Sequence, residues 1–196
     1  MIRHVSIPAR DPAHVATVLA ELIGGHAYPF RGGSLQGAFM AVAGDASGHT
    51  IEVYPQTVMG VPGGNGEAVD YIENPNVPTY YPFHVLIATP LTAAQIVSIG
   101  QREGWRTQYF GRGIPGGPSF FHLFEFWVEN NFLFELMPET ATADYERTFQ
   151  FDFLETAGLA PLHSAQSALG QDRGGAPAAS ARAAMPNPEG PAHKRA

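Results

Sequence analysis

The chain has 196 residues, of which 44% are hydrophobic and 15% charged, the composition of a globular protein. Its net charge of −7 and its single lysine, Lys194, argue against nucleic-acid binding and against an anionic membrane surface, because both need a basic footprint. It has no cysteine, which excludes disulfides and thiolate metal sites. Without a signal-peptide pattern or a long apolar run, we expect a cytoplasmic protein.

Residues 1–55 predict a first βαβββ module. A strand over residues 2–7 precedes Asp11-Pro12, an N-cap followed by a first-turn proline. Apolar residues then recur at helical spacing from His14 to Ile23, and Gly24-Gly25 ends the predicted helix. Three short strands follow, over His26–Arg31, Gln36–Ala43 and Thr50–Tyr54.

Residues 56–80 are rich in Gly, Pro and Asn and lack sustained periodicity. Such a segment is typical of a linker between modules or of a loop over a site, and both interpretations stay open.

Residues 81–138 predict a second βαβββ module. Its predicted parts are a strand over Tyr81–Ala88, a helix over Thr92–Glu103, a strand over Arg106–Phe110, a loop over Gly111–Pro118, and a hairpin of Ser119–Val128 and Phe132–Met137 around Asn130-Asn131. Residues 139–162 predict a C-terminal extension with a helix or two. Residues 163–196, dominated by Ala, Pro, Gly and Ser, predict a disordered tail.

Both modules place one histidine and one glutamate on the polar face of their outer strands. The pairs are His4 with Glu52, 48 residues apart (52 − 4), and His84 with Glu135, 51 apart (135 − 84). A solvent-exposed face explains any one of these residues, but it does not predict matched pairs in both halves. Since neither half supplies enough ligands alone, the repeat predicts one shared metal site.

Two further residues are candidate substrate contacts. Tyr54 shares the predicted face of Glu52, although a tyrosine at a strand end also serves as amphipathic packing. His122 shares its predicted face with the phenylalanines of its strand, so a packed or edge histidine is the alternative to a substrate contact.

The chain resembles the vicinal oxygen chelate superfamily, which includes glyoxalase I, extradiol dioxygenases, and bleomycin- and fosfomycin-resistance proteins. The resemblance covers residues 2–138. It rests on His4-Val5-Ser6-Ile7 before Asp11, Asp45-x-x-Gly48-x-x-Ile51-Glu52, Phe83-His84-Val85, and Val128-Glu129-Asn130 before Phe134-Glu135-Leu136. It implies an α+β fold in which two βαβββ modules form a curved mixed sheet around a cup, with helices on the outer face.

The resemblance also implies ligands and partners. The metal ligands of the superfamily fall on His4, Glu52, His84 and Glu135, around one divalent metal. A small-molecule substrate and a homodimer are further expectations, and the modules pair either within a chain or between two chains. One departure concerns an arginine that binds glutathione in similar glyoxalases: the corresponding region here is Ile7-Pro8-Ala9, with Arg10 displaced.

Three functions are compatible with this resemblance. The first is a glyoxalase I-like lyase or isomerase that uses Ni, Zn, Co or Mn and acts through a metal-stabilised enolate, with Glu52 or Glu135 as a mobile proton base. The second is an extradiol-type dioxygenase, in which His4, His84 and Glu135 alone bind Fe(II). The third is a metal-free binding or resistance protein with the same fold.

Overall fold

The computed structural model describes residues 2–30, 35–113 and 116–160. The strands are β1 His4–Ala9, β2 His26–Pro29, β3 Phe39–Val42, β4 Thr50–Pro55, β5 Val58–Val61, β6 Asp70–Glu73, β7 Val85–Thr89, β8 Thr107–Gly113, β9 Ser119–Val128 and β10 Phe132–Pro138. The helices are α1 Pro12–Leu22, α2 Ala93–Glu103, α3 Thr142–Thr148 and α4 Phe151–Thr156. The predicted tail over residues 163–196 lies outside the described residues.

Two four-stranded sheets carry the fold, in the orders β1-β4-β3-β2 and β7-β10-β9-β8. In each sheet the first and last strands of the module pair in parallel, and the other pairs are antiparallel. The α+β class and the two βαβββ modules are therefore confirmed. Each module forms its own sheet, however, rather than half of one continuous sheet. No helix in the described ranges is long and apolar enough to cross a membrane.

Local sequence signals set the ends of both long helices. The side chain of Asp11 accepts a hydrogen bond from the His14 amide at 3.1 Å, so it caps α1 as its position before Pro12 predicts. Gly24 has a φ of 66°, which stops the helix where the Gly-Gly pair predicts. Thr92 and Gln95 form a reciprocal capping box at the start of α2.

One apolar core joins the two modules. Its buried residues come from both helices and from the helix-facing side of both sheets, and they include Ile7, Val15, Leu19, Val53, Ile96, Phe126, Phe134 and Leu136. Because successive strand residues point to opposite faces, the polar face of each sheet points away from this core.

Glu129, in the turn between β9 and β10, ties the second module to the first. Its carboxylate accepts hydrogen bonds from the backbone amides of Arg10 and Asp11 at 2.7 and 2.9 Å, and the Arg10 guanidinium donates to the Glu129 carbonyl. Glu129 adopts a φ of 51°, a backbone conformation that is unfavourable for glutamate. Contacts with the start of α1 hold it there.

The turn itself differs from the prediction. Positive φ values occur at Glu129 and Asn130 rather than at Asn130 and Asn131. Asn130 is fixed by its side chain, which accepts from the Arg106 amide and donates to the Gly104 carbonyl. The turn is therefore shifted by one residue because tertiary hydrogen bonds hold both of its central residues.

The segment over residues 56–80 is not a plain linker. Strands β5 and β6 within it form an antiparallel hairpin. Tyr71 of β6 packs edge-on against Tyr54 of β4, with ring centroids 5.7 Å apart. Each strand has only four residues, and the Gly- and Pro-rich loop between them hides the alternation that would have predicted them.

Replacing Glu129 tests whether the turn stabilises the joint between the modules. We expect Glu129→Ala to lower the free energy of unfolding by about 1–3 kcal/mol, because two backbone amides and a guanidinium lose their acceptor. Urea unfolding measures the change, with Glu146→Ala, an exposed glutamate of α3, as the control. Equal stability of the two variants would show that Glu129 does not hold the modules together.

Candidate functional site

The two His/Glu pairs occupy equivalent positions in their sheets. In the first module Ser6 lies opposite Glu52, and His4 is two residues before Ser6 on the same face. In the second module Leu86 lies opposite Glu135, and His84 is two residues before Leu86. Each histidine is therefore diagonal to its glutamate across a parallel strand pair, by the same offset.

In the second module this diagonal brings the two side chains together. His84 Nε2 lies 3.4 Å from Glu135 Oε2, and Glu135 is only 9% exposed. The predicted strand over Tyr81–Ala88 begins later than expected, so His84 immediately precedes β7. Pro82 lacks an amide donor, and Phe83 packs on Phe132 with ring centroids 4.9 Å apart, so side-chain packing rather than strand pairing holds this segment.

Arg112 bridges two carboxylates on the same face. Its Nη2 lies 2.8 Å from Glu125 Oε1 and 2.9 Å from Glu135 Oε1. Glu125 and Glu135 stand directly opposite each other on β9 and β10, where two like charges repel. Burial by itself would raise the pKa of Glu125, but hydrogen bonding from the side chains of Arg112, Trp127 and Arg106 outweighs burial and lowers that pKa.

Sequence reasoning missed Arg112. The Gly/Pro pattern placed Arg112 in the predicted loop over Gly111–Pro118, whereas β8 continues through Gly113. Gln108 and Arg112 share one face of β8 with Phe110, and this interruption by an apolar residue hides the polar alternation.

In the first module Glu52 is held by neutral donors. Its Oε2 accepts hydrogen bonds from Ser6 Oγ at 2.8 Å and from the Tyr54 hydroxyl at 2.6 Å. Burial, together with hydrogen bonding to Glu52, raises the pKa of Tyr54, so the phenol remains protonated and keeps donating. Tyr54 thus orients Glu52, and its contact with a substrate stays a prediction.

His122 lies away from the other candidate residues. It pairs with Gly111 on the face of the sheet opposite Glu125 and Glu135. Its ring stacks on Tyr109, with centroids 5.4 Å apart and the planes at 16°. The structure therefore places His122 on the helix-facing side of the inner strand β9 and not beside the two carboxylates.

Within one chain the four predicted ligands do not converge. Among the residues that the structure describes, no three His, Asp or Glu side chains lie close enough together to hold a metal. The polar faces point away from the common core, so the pair His4/Glu52 and the pair His84/Glu135 are separate. Each module presents half of a ligand set.

Each glutamate nevertheless keeps one oxygen suitable for a metal. The hydrogen bonds to Glu52 fall on Oε2, which leaves Oε1 available. Arg112 holds Oε1 of Glu135, which leaves Oε2 beside His84. Two imidazoles and two carboxylate oxygens fit Ni²⁺, Zn²⁺, Co²⁺, Mn²⁺ or Fe²⁺ by donor chemistry, provided that a second module completes the set.

Comparison with solved structures gives neighbours of similar fold at low sequence identity. The fold is similar to the fosfomycin resistance protein FosX from Mesorhizobium loti, with 16% identity over 75% of this chain and 98% of that chain and a TM-score of 0.44. It is also similar to a possible glyoxalase from Bacillus cereus, with 18% identity over 70% and 97% and a TM-score of 0.37.

A third neighbour is a glyoxylase/bleomycin resistance protein/dioxygenase domain from Frankia, with 13% identity over 70% of this chain and 96% of that chain and a TM-score of 0.41. No protein-family model and no curated protein matches the chain.

The lowered pKa of Glu125 makes part of the stability depend on pH. Because the folded pKa lies below the unfolded value, the contribution of Glu125 is complete above that value, roughly pH 4.3, and is lost as the pH falls through the folded pKa. We expect Glu125→Gln to lower the free energy of unfolding by about 1–2 kcal/mol at pH 7, and by progressively less as the pH falls below about 4. Urea unfolding at both pH values checks this, and a constant difference would contradict it.

Proposed function

We propose that the protein is a metal-dependent vicinal oxygen chelate enzyme, a glyoxalase I-like lyase or isomerase that acts on a small oxygenated substrate by proton transfer next to a carbonyl. The equivalent diagonal placement of His4/Glu52 and His84/Glu135 carries this proposal. Two pairs with the same offset in both modules match a ligand set divided between the modules, whereas a solvated sheet face has no such constraint.

A complete site on this proposal needs two copies of the chain. β1 and β7 are edge strands of the described sheets, and they carry or adjoin His4 and His84. An edge strand offers unpaired backbone groups to another strand. Pairing β1 of one copy with β7 of another brings a first-module pair beside a second-module pair, and two-fold symmetry then makes two such sites.

The two glutamates differ in what holds them, which suggests different roles. Arg112 fixes Oε1 of Glu135 by a charge-assisted hydrogen bond, so we assign Glu135 as a permanent ligand. Two neutral hydroxyls hold Glu52, and we assign it as the proton acceptor, oriented by Ser6 and Tyr54. When bound, a divalent metal supplies Lewis-acid polarisation of the substrate carbonyl.

The role assignment predicts different losses for the two glutamates. We expect Glu135→Gln to lose metal and activity together, because it removes a ligand charge. We expect Glu52→Gln to lower turnover by about 10²–10⁴-fold while it weakens metal binding only in part. Isothermal titration calorimetry with Ni²⁺ and Zn²⁺ measures metal binding. The control is Glu73→Gln, which changes an exposed glutamate of β6. Full activity of Glu52→Gln would contradict its role as base.

Mixing two inactive variants tests the two-copy site. His4→Ala and His84→Ala each remove one ligand from every site and should each abolish tight metal binding. In a mixed dimer one site carries both changes and the other carries neither, so each mixed dimer should bind one metal. Because random reassortment of equal amounts makes about half of the dimers mixed, metal binding of the mixture should return to about one quarter of a metal per chain. If the ligands converged within one chain, no mixture would recover binding. Circular dichroism of each variant verifies that the fold is retained.

One observation favours a metal-free binding protein as the second candidate. Arg106 and Arg112 balance Glu125 and Glu135, so the second-module face is neutral without a metal. Metal analysis of protein purified without chelator separates the functions. Ni, Zn, Co or Mn near one per chain supports the enzyme, Fe(II) with oxygen uptake supports a dioxygenase, and no metal with none taken up on addition supports the binding protein.

A further inference from the structure

The polar face of the second module contains a cavity of about 330 Å³ beside the candidate site. Tyr80, Arg106, Trp127 and Asn130 line it. Trp127 is two residues from Glu125 on β9 and lies opposite Leu133, which is two residues from Glu135. Residues two apart on a strand share a face, so the cavity and the carboxylates open to the same side of the sheet.

Two aromatic rings form a corner of this cavity. Tyr80 and Trp127 meet edge to face, with centroids 6.0 Å apart and planes at 83°. Tyr80 is 64% exposed, so it packs against Trp127 without being covered itself. A third flat ring can stack on one wall of such a corner and meet the other wall with its edge, an arrangement that aromatic rings favour.

The side chains that line the cavity include N–H donors that are held in fixed positions by neighbouring groups. The indole N–H of Trp127 is buried and is directed at the Glu125 carboxylate, whose pKa it helps to lower, so a ligand in the cavity does not reach it. Arg106 is fixed by Glu125 at 3.2 Å and by Gln108 at 2.6 Å, so its guanidinium cannot swing away freely. Arg106 is half exposed and lines the cavity, and its N–H groups beyond these two contacts are the donors that a ligand with an acceptor can reach.

The charge around the cavity indicates a neutral ligand. Arg106 and Arg112 together carry two positive charges, and Glu125 and Glu135 carry two negative ones. A carboxylate ligand would meet Glu125 without an uncompensated cation to offset the repulsion.

We propose that this cavity binds a neutral planar ring with a hydrogen-bond acceptor at its edge, such as an aromatic amide or ketone. On the proposed function, on which this step rests, the ring is the part of the substrate remote from the reacting carbon. The cavity then selects substrates by shape and by one hydrogen bond.

Benzamide binding to the full chain, with metal removed by chelator, tests the proposal. We expect a dissociation constant of the order of 1 mM by saturation-transfer NMR, and no measurable binding of cyclohexanecarboxamide, which has the same amide on a puckered ring. Tyr80→Ala should weaken benzamide binding roughly five- to tenfold. Tyr109→Ala, which removes an exposed tyrosine from the opposite face of the same sheet, should leave it unchanged.

Four results would each contradict the proposal that the cavity binds a neutral planar ring. These results are the absence of benzamide binding, equal binding of the two amides, unchanged benzamide binding in Tyr80→Ala, and tighter binding of benzoate than of benzamide. Because the measurement uses metal-free protein, it is independent of the metal site. If the protein binds metal but not benzamide, the proposed ring binding is wrong and the proposed function is unaffected. If the protein binds benzamide but no metal, the proposed metal-dependent enzyme is wrong and the proposed ring binding is unaffected.

Discussion

The apolar core between the modules is the constraint on which the rest of the structure depends. Each sheet buries one face in it, and alternation along the strands then leaves the polar face outward. The carboxylate of Glu129 links the two modules, because it accepts hydrogen bonds from the backbone amides of Arg10 and Asp11. These contacts hold the backbone of Glu129 in an unfavourable conformation. The same packing that stabilises the chain therefore separates its two His/Glu pairs.

This separation is the reason for proposing a site built from two copies of the chain. On the proposed function, a ligand set divided between modules that face apart requires a second chain, and the edge strands β1 and β7 offer backbone groups with which it could pair. Arg10, the displaced arginine of the sequence, contacts Glu129 through both its amide and its guanidinium.

The two halves of the site are equivalent in register but different in chemistry. Ser6 in the first module corresponds to Leu86 in the second, and Met40, opposite Glu52, corresponds to Glu125, opposite Glu135. The second half therefore needs Arg112 to offset an extra carboxylate, and the first half needs only hydroxyl donors. One glutamate is paired with a cation and the other is oriented by neutral groups, which is the basis on which we propose different roles for the two.

The sequence by itself determined both modules, their helix caps and the polar parity of the outer strands, because these features depend on neighbours close along the chain. It also predicted that each module places one histidine and one glutamate, His4 with Glu52 and His84 with Glu135, on the same face, since alternation fixes a shared face. Only the tertiary structure decided that the pairs face apart and that Arg112 and Tyr54 hold the two glutamates. It also decided that Glu129 occupies the turn and that residues 58–73 contain a hairpin. These features depend on contacts between side chains on different strands and in different modules. The periodicity of the sequence reports only on residues close along the chain, so it does not predict them.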